Sequence, residues 1–201
     1  MTLIPVAPCV EDLPHGEPAP AGMAVLARAE WPEAPGDELP AIPGFIVSSF
    51  SPLVAEVAGR CLRRYFGTAP ADLARGERTG VVLATCTGDL ATAAAIAAAV
   101  DEGRRVQPLL FFQSNPNAVV GWLTSRWGLS GPVVAVVPDG DPMADARDCA
   151  SLLTAGGDAD AVLIIVADQG RSPDEADHAV ALLIGPRSWP EAGTTLDVPV
   201  T

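Results

Sequence analysis

The fold is decided by residues 107–137, which read QPLLFFQSNPNAVVGWLTSRWGLSGPVVAVV. Asn115 directly before Pro116 predicts a helix start, because a cap side chain can accept from free amides and proline at the first helical position has no donor to lose. Gly128 predicts the end of that helix. The apolar run at 132–137 then predicts a β-strand, so the segment indicates an α/β protein.

The same helix start recurs on both sides of this segment. Ser51-Pro52 and Asp141-Pro142 each place a capping side chain before a proline, and each is followed by a periodic segment. We expect these two helices to end at Gly67 and Gly156 in the left-handed conformation. A further helix at 89–102 consists almost wholly of small apolar residues, which predicts close packing on several sides.

Continuous apolar runs outside these helices predict further strands covered on both faces. Together with 132–137 they give the order β-α-β-α-α-β-α-β-β. This order predicts an α/β fold of three layers around a mixed five-stranded sheet, in which the last two strands form a hairpin. The runs are at 23–29, 80–85, 161–167 and 178–184.

The distribution of proline divides the chain into one domain and two tails. Of the twenty prolines, those in text such as EPAP at 17–20 cannot sustain a regular ladder. We expect a proline-rich N-terminal tail at 1–21, one domain at 22–186, and an irregular C-terminal tail at 187–201.

Charge and cysteine usage exclude several classes of function. The chain has 25 acidic and 12 basic residues, a formal charge of -13, so we expect no binding to nucleic acid or to anionic membranes. The four cysteines, Cys9, Cys61, Cys86 and Cys149, contain no C-x-x-C pair, so we expect reduced thiols, no metal and no cofactor. No signal segment or membrane span is visible, and we expect a cytoplasmic protein.

Several motifs together resemble a ketosynthase. Residues 107–118 (QPLLFFQSNPNA) and 126–132 (RWGLSGP) are similar to the segment that precedes the nucleophile strand in that family. Residues 78–82 (RTGVV) resemble its second strand, Phe50-Ser51 the start of its first helix, and 158–161 (DADA) the run into its fourth strand. The resemblance covers about 23–186 and implies the N-terminal half of a thiolase-like fold.

The resemblance also locates the position of the nucleophile. The family pattern Val-Asp-Thr-Ala-Cys falls on 136–140, so Gly140 stands where the catalytic cysteine would be. Asp139 is no substitute, because an acyl anhydride would hydrolyse too readily. The family's two active-site histidines and its lysine belong to a C-terminal half, whereas this chain contains only His15 and His178 and no lysine.

The resemblance therefore implies a chain-length-factor-type subunit of a type II polyketide synthase. Such a subunit has no catalytic residue of its own, pairs with an active ketosynthase in a heterodimer or heterotetramer, and meets the acyl carrier protein only indirectly. The residues that it would use to line the acyl tunnel or to contact the partner are Phe111, Phe112, Gln113, Asn117, Val133, Val134, Ala135 and Val136.

Two alternatives from other classes remain open. One is a small hydrolase or transferase that uses Cys86 or Cys149 as nucleophile, and the other is a homodimeric scaffold protein. The loop at 85–88 (TCTG) suggests a phosphate cradle at a helix start, but it has one glycine where dinucleotide loops have three. The acids between Asp139 and Asp148 lack calcium-loop spacing, and we expect them to be solvated.

Overall fold

The computed structural model describes residues 22–172 and 175–190. The tails predicted at 1–21 and, apart from 187–190, at 187–201 lie outside the described residues. The strands are β1 (Met23–Trp31), β2 (Thr79–Ala84), β3 (Val133–Val136), β4 (Ala161–Asp168) and β5 (His178–Pro186). The helices are α1 (Phe50–Phe66), α2 (Leu73–Glu77), α3 (Leu90–Asp101), α4 (Pro108–Gln113), α5 (Pro116–Trp127) and α6 (Pro142–Ala155).

The strands form one mixed sheet in the order β1-β5-β4-β2-β3. Strand β2 runs parallel to both β3 and β4, whereas β5 is antiparallel to β4 and to β1. The predicted five-stranded mixed sheet and the pairing of its last two strands are confirmed. The carboxyl ends of β2, β3 and β4 consequently meet at one edge of the sheet, which is where α/β proteins commonly place functional groups.

Helices cover the sheet on both faces. Because successive strand residues point to opposite faces, Val81 and Leu83 pack in one cluster with α1 and α5, whereas Val82 and Ala84 pack in another with α6. Every residue of β4 is buried. The three predicted layers are therefore present, and the central strands are apolar throughout because both of their faces are covered.

The proline-marked helix starts are confirmed for two of the three helices. The Oδ1 of Asn115 accepts from the amide of Asn117 at 3.0 Å, and that of Asp141 accepts from the amide of Met143 at 2.8 Å. The predicted cap at Ser51 is wrong, because α1 begins at Phe50 and the Oγ of Ser48 accepts from the amide of Ser51. Proline is tolerated throughout the first turn, where amides have no helical partner, so its position alone leaves the start uncertain by a residue or two.

Two further expectations need correction. Gly156 does not adopt the left-handed conformation, since its φ is -72° and the next residue, Gly157, has the positive φ of 75°. Helix α3 is not packed on several sides, because only Thr92 and Ala99 are buried along it. Small apolar side chains permit close packing, but a neighbouring element has to be present for it to occur. In the described part of the chain, no helix has the length and apolar character needed to cross a bilayer.

Candidate functional site

The connection from β3 to α6 contains the position at which the ketosynthase resemblance places a nucleophile. The amides of Asp139 and Gly140 donate to Oδ2 of Asp145, at 2.9 and 3.4 Å, and Asp141 caps α6. These acids therefore organise the loop and the start of the helix. Within residues 22–172 and 175–190, no group of three His, Cys, Asp or Glu side chains is placed to hold a metal ion.

Glycine at position 140 is not imposed by space or by the backbone. A Cβ built there meets no heavy atom within 4 Å, and Gly140 is not among the glycines with positive φ. A cysteine would therefore fit at this position without strain. The loop accordingly has room for a side chain at position 140, where the sequence has glycine.

Asp168, at the carboxyl end of β4, organises the loop between β2 and α3. Its Oδ1 accepts from the amides of Cys86 and Thr87 at 2.8 and 2.9 Å, and from the hydroxyls of Thr85 and Thr87 at 3.0 and 2.9 Å. The side chain is buried, with the residue only 9% exposed. The loop that resembles a phosphate cradle is thus already occupied by a carboxylate of the chain itself.

Gln169 extends this network to two helices. Its Oε1 accepts from the amide of Leu90 at 2.7 Å, at the start of α3, and its Nε2 donates to the hydroxyl of Ser49, at the start of α1. The sequence motifs single out neither Asp168 nor Gln169. The available signal was a pair of polar residues at the carboxyl end of a buried strand, where parallel strands bring loops together.

Gln113 anchors α4 instead of facing a partner. It is 1% exposed, its Nε2 donates to the hydroxyl of Thr92 at 3.0 Å, and its Oε1 accepts from the amide of Ile46 at 3.2 Å. Thr92 is in turn bound by Asp89, the cap of α3. This interior position differs from the tunnel or partner surface that the sequence predicted for Gln113, because a buried amide needs polar partners that only the folded chain provides.

The other predicted interface residues lie wholly or partly at the surface. Phe111 and Phe112 are 60% and 63% exposed, and they lie on the short helix α4. Asn117 is exposed at the start of α5, and its amide donates to the Asn115 cap. In β3, Val133 and Ala135 are exposed, whereas Val134 and Val136 are half-buried.

Strand β3 is an edge of the sheet. It pairs with β2 through the register Val81↔Val133 to Ala84↔Val136, and no other described strand pairs with it. An apolar edge of this kind offers unpaired backbone groups to another chain. The exposed Val133 and Val137 and the two phenylalanines of α4 are large apolar side chains that the described fold leaves uncovered.

The cysteines differ in state. Cys86 is disulfide-bonded, so the expectation of reduced thiols is wrong for that residue, whereas Cys61 and Cys149 are free. Burial of Cys61 within α1 raises the pKa of its thiol to about 12. Cys149 is half-buried on α6.

Alkylation should distinguish the two free thiols. We expect iodoacetamide at about pH 8 to modify Cys149 in the native protein and to leave Cys61 unmodified, because the thiolate is the reacting species. Peptide mass mapping measures the difference. Denaturation in urea should abolish it, and labelling of Cys61 before Cys149 in the native protein would contradict it.

Comparisons with known proteins identify the fold. No protein-family profile matches the chain, and no curated protein is similar to it in sequence. A solved complex of a ketosynthase with its chain length factor from Xenorhabdus doucetiae superposes with a TM-score of 0.62 at 18% identity, over 86% of this chain and 80% of that chain.

Two further structures match at similar levels. The ishigamide ketosynthase/chain length factor has a TM-score of 0.64 at 18% identity, over 79% of this chain. A complex of a type II polyketide synthase acyl-carrier protein with its ketosynthase, bound to the hexaketide, has a TM-score of 0.57 at 17% identity, over 70% of this chain. The chain spans about half of these two, 50% and 48% of their lengths. It therefore shares the fold of part of these ketosynthase and chain length factor structures.

Proposed function

We propose that this chain is a non-catalytic, chain-length-factor-like subunit that pairs with an active ketosynthase in the cytoplasm and shapes the acyl tunnel during polyketide chain elongation. The observation that carries the proposal is Gly140 in the connection from β3 to α6. The resemblance assigns this position to the nucleophile of a ketosynthase. The loop has room for a cysteine there, but the sequence has glycine.

The surface around β3 supports a pairing role. The outer edge of β3 is unpaired within the described residues. The exposed Val133 lies on this strand, and the exposed Val137 directly follows it. Large apolar side chains left in water favour association with another chain. We assign this edge to the ketosynthase partner, with the exposed Phe111 and Phe112 of α4 directed at the acyl tunnel.

A pair of matched substitutions tests the pairing edge. Val133 in β3 and Val25 in β1 are 45% and 44% exposed, and each lies on an edge strand. Val133→Lys should weaken pairing with the ketosynthase about 10-fold or more, because a lysine on an edge disfavours strand addition. Val25→Lys should leave pairing unchanged.

Copurification and analytical ultracentrifugation with catalytic ketosynthases from the same genome measure this effect. A loss of pairing in Val25→Lys but not in Val133→Lys would contradict the assignment of the edge. A stable homodimer that takes up no ketosynthase would instead favour the scaffold alternative.

Acyl loading tests the absence of catalysis. We expect thioester probes to leave the wild-type chain unmodified by intact mass, since Gly140 offers no nucleophile. Gly140→Cys should fold normally and still give no condensation. The two histidines of the sequence, His15 and His178, do not correspond to the active-site pair that the resemblance places in a C-terminal half. A stoichiometric acyl adduct on Cys149 of the wild type would favour the cysteine-dependent enzyme, as would turnover by Gly140→Cys alone.

The charge of the chain bears on how substrate reaches the pair. Acyl carrier proteins are acidic, and a chain with a formal charge of -13 repels them at long range. We therefore assign carrier docking to the catalytic partner. In this arrangement the chain limits the length of the product without binding the carrier strongly.

A further inference from the structure

A groove of about 310 Å³ lies on the outer layer of helices. Helix α1 contributes Ala55 and Gly59, helix α5 contributes Trp122 and Trp127, and the connection between β1 and α1 contributes Pro40 and Pro43. Trp127 also belongs to the buried core, so one wall of the groove is part of that core. Apolar residues, prolines and tryptophans among them, therefore make up most of its lining.

Two arginines give the groove a local charge opposite to that of the chain. Arg63 and Arg126 line it together with a single carboxylate, that of Glu56. The Oε1 of Glu56 accepts from Nε of Arg60 at 2.8 Å and from Nη2 of Arg63 at 3.3 Å, so this carboxylate is shared. No carboxylate of the described residues lies within 4.0 Å of Arg126. The lining therefore carries one excess positive charge on a protein of formal charge -13.

Both guanidinium groups already make contacts within the chain in the absence of a ligand. That of Arg126 lies over the ring of Trp122, 5.4 Å from its centroid. That of Arg63 lies against Gly59 in the middle of α1, where an added Cβ would be 3.1 Å from Nη1. Pre-placed groups of this kind lose less conformational entropy when a ligand binds.

We propose that this groove binds a small organic carboxylate with an apolar body. Its volume falls at the lower end of small-molecule sites, roughly 300–1,000 Å³. A guanidinium presents paired N–H donors that match a carboxylate, and the tryptophan and proline walls bury the apolar part of the ligand. The site is separate from the connection that contains Gly140, and the proposal does not depend on pairing with a ketosynthase.

Titration of the full chain with 4-phenylbutyrate and with its uncharged analogue 4-phenylbutanamide tests the proposal. Calorimetry and the intrinsic fluorescence of the four tryptophans, of which Trp122 and Trp127 line the groove, should both report saturable binding of the carboxylate. The amide should bind about 10-fold more weakly, because it loses the charge-assisted hydrogen bonds. Equal affinity for the two compounds, or no saturable binding of either, would overturn the proposal.

Two arginine variants test whether the charge of Arg126 contributes to carboxylate binding. Arg126→Gln should weaken binding of 4-phenylbutyrate about 10-fold, whereas Arg105→Gln, which removes another exposed charge outside the groove, should have no effect. An equal loss in both variants would show a nonspecific effect of net charge and would overturn the site.

Gly59→Ala gives a variant that keeps every charge. The added methyl would displace the guanidinium of Arg63 by a few tenths of an ångström, since the nearest atom is the end of a flexible side chain. We expect affinity for 4-phenylbutyrate to fall severalfold while the melting temperature is kept or raised, because alanine favours the helix. Unchanged affinity in both Gly59→Ala and Arg126→Gln would exclude this groove as the binding site.

Discussion

Phe112→Ala should lengthen the acyl chains, or broaden the range of chain lengths, that this chain and its ketosynthase partner make together. Affinity for the acyl carrier protein should change by less than about twofold. Phe112 is 63% exposed on α4, so its ring contributes little to the core and the variant should fold normally. If the ring limits the acyl tunnel at the partner interface, its removal leaves room for a longer chain. Mass spectrometry of the released products and a carrier titration measure the two effects.

Leu73→Ala is the matched control. Leu73 is 74% exposed on α2, which directly precedes β2. By contrast, α4 leads into α5, and Pro116 at the start of α5 lies near Gly88, which follows the other end of β2. The control should change neither product length nor carrier affinity. If Phe112→Ala weakened carrier binding and left product length unaltered, the roles would be reversed, and this chain would be the docking subunit.

Asp168→Ala should destabilise the protein by about 1–3 kcal/mol, the largest effect that we expect from a single polar substitution. The change removes an acceptor shared by two amides and two hydroxyls at the carboxyl ends of the strands. Asp168 and Thr85 are buried, so the hydroxyl of Thr85 would lose its acceptor away from water, whereas Cys86 and Thr87 are half-buried. Urea unfolding measures the loss.

Asp160→Ala is the control for Asp168→Ala. Asp160 forms a 2.9 Å ion pair with Arg78, but both side chains are more than two-fifths exposed, at 46% and 43%. Surface pairs of this kind contribute roughly 0–1 kcal/mol. A similar loss of stability in the two variants would contradict the structural role assigned to the buried carboxylate.

Local sequence determined the elements of this protein well. A cap and proline at Asn115-Pro116 and at Asp141-Pro142 act within one helical turn, so the starts of α5 and α6 are legible without any tertiary information. The apolar runs of β2, β4 and β5 predict buried strands for the same reason. Gly140 is equally visible, because the missing side chain is a property of the residue itself.

Which polar groups meet and which apolar groups stay exposed depends on tertiary packing. Asp168 and Thr85 are 83 residues apart, and Gln113 and Ile46 are 67 apart, so no local pattern relates them. Helix α3 and strand β3 are as apolar as the buried elements, yet they lie where the described fold places few neighbours. Burial is a property of the whole packing arrangement, since a side chain leaves water only when another element covers it.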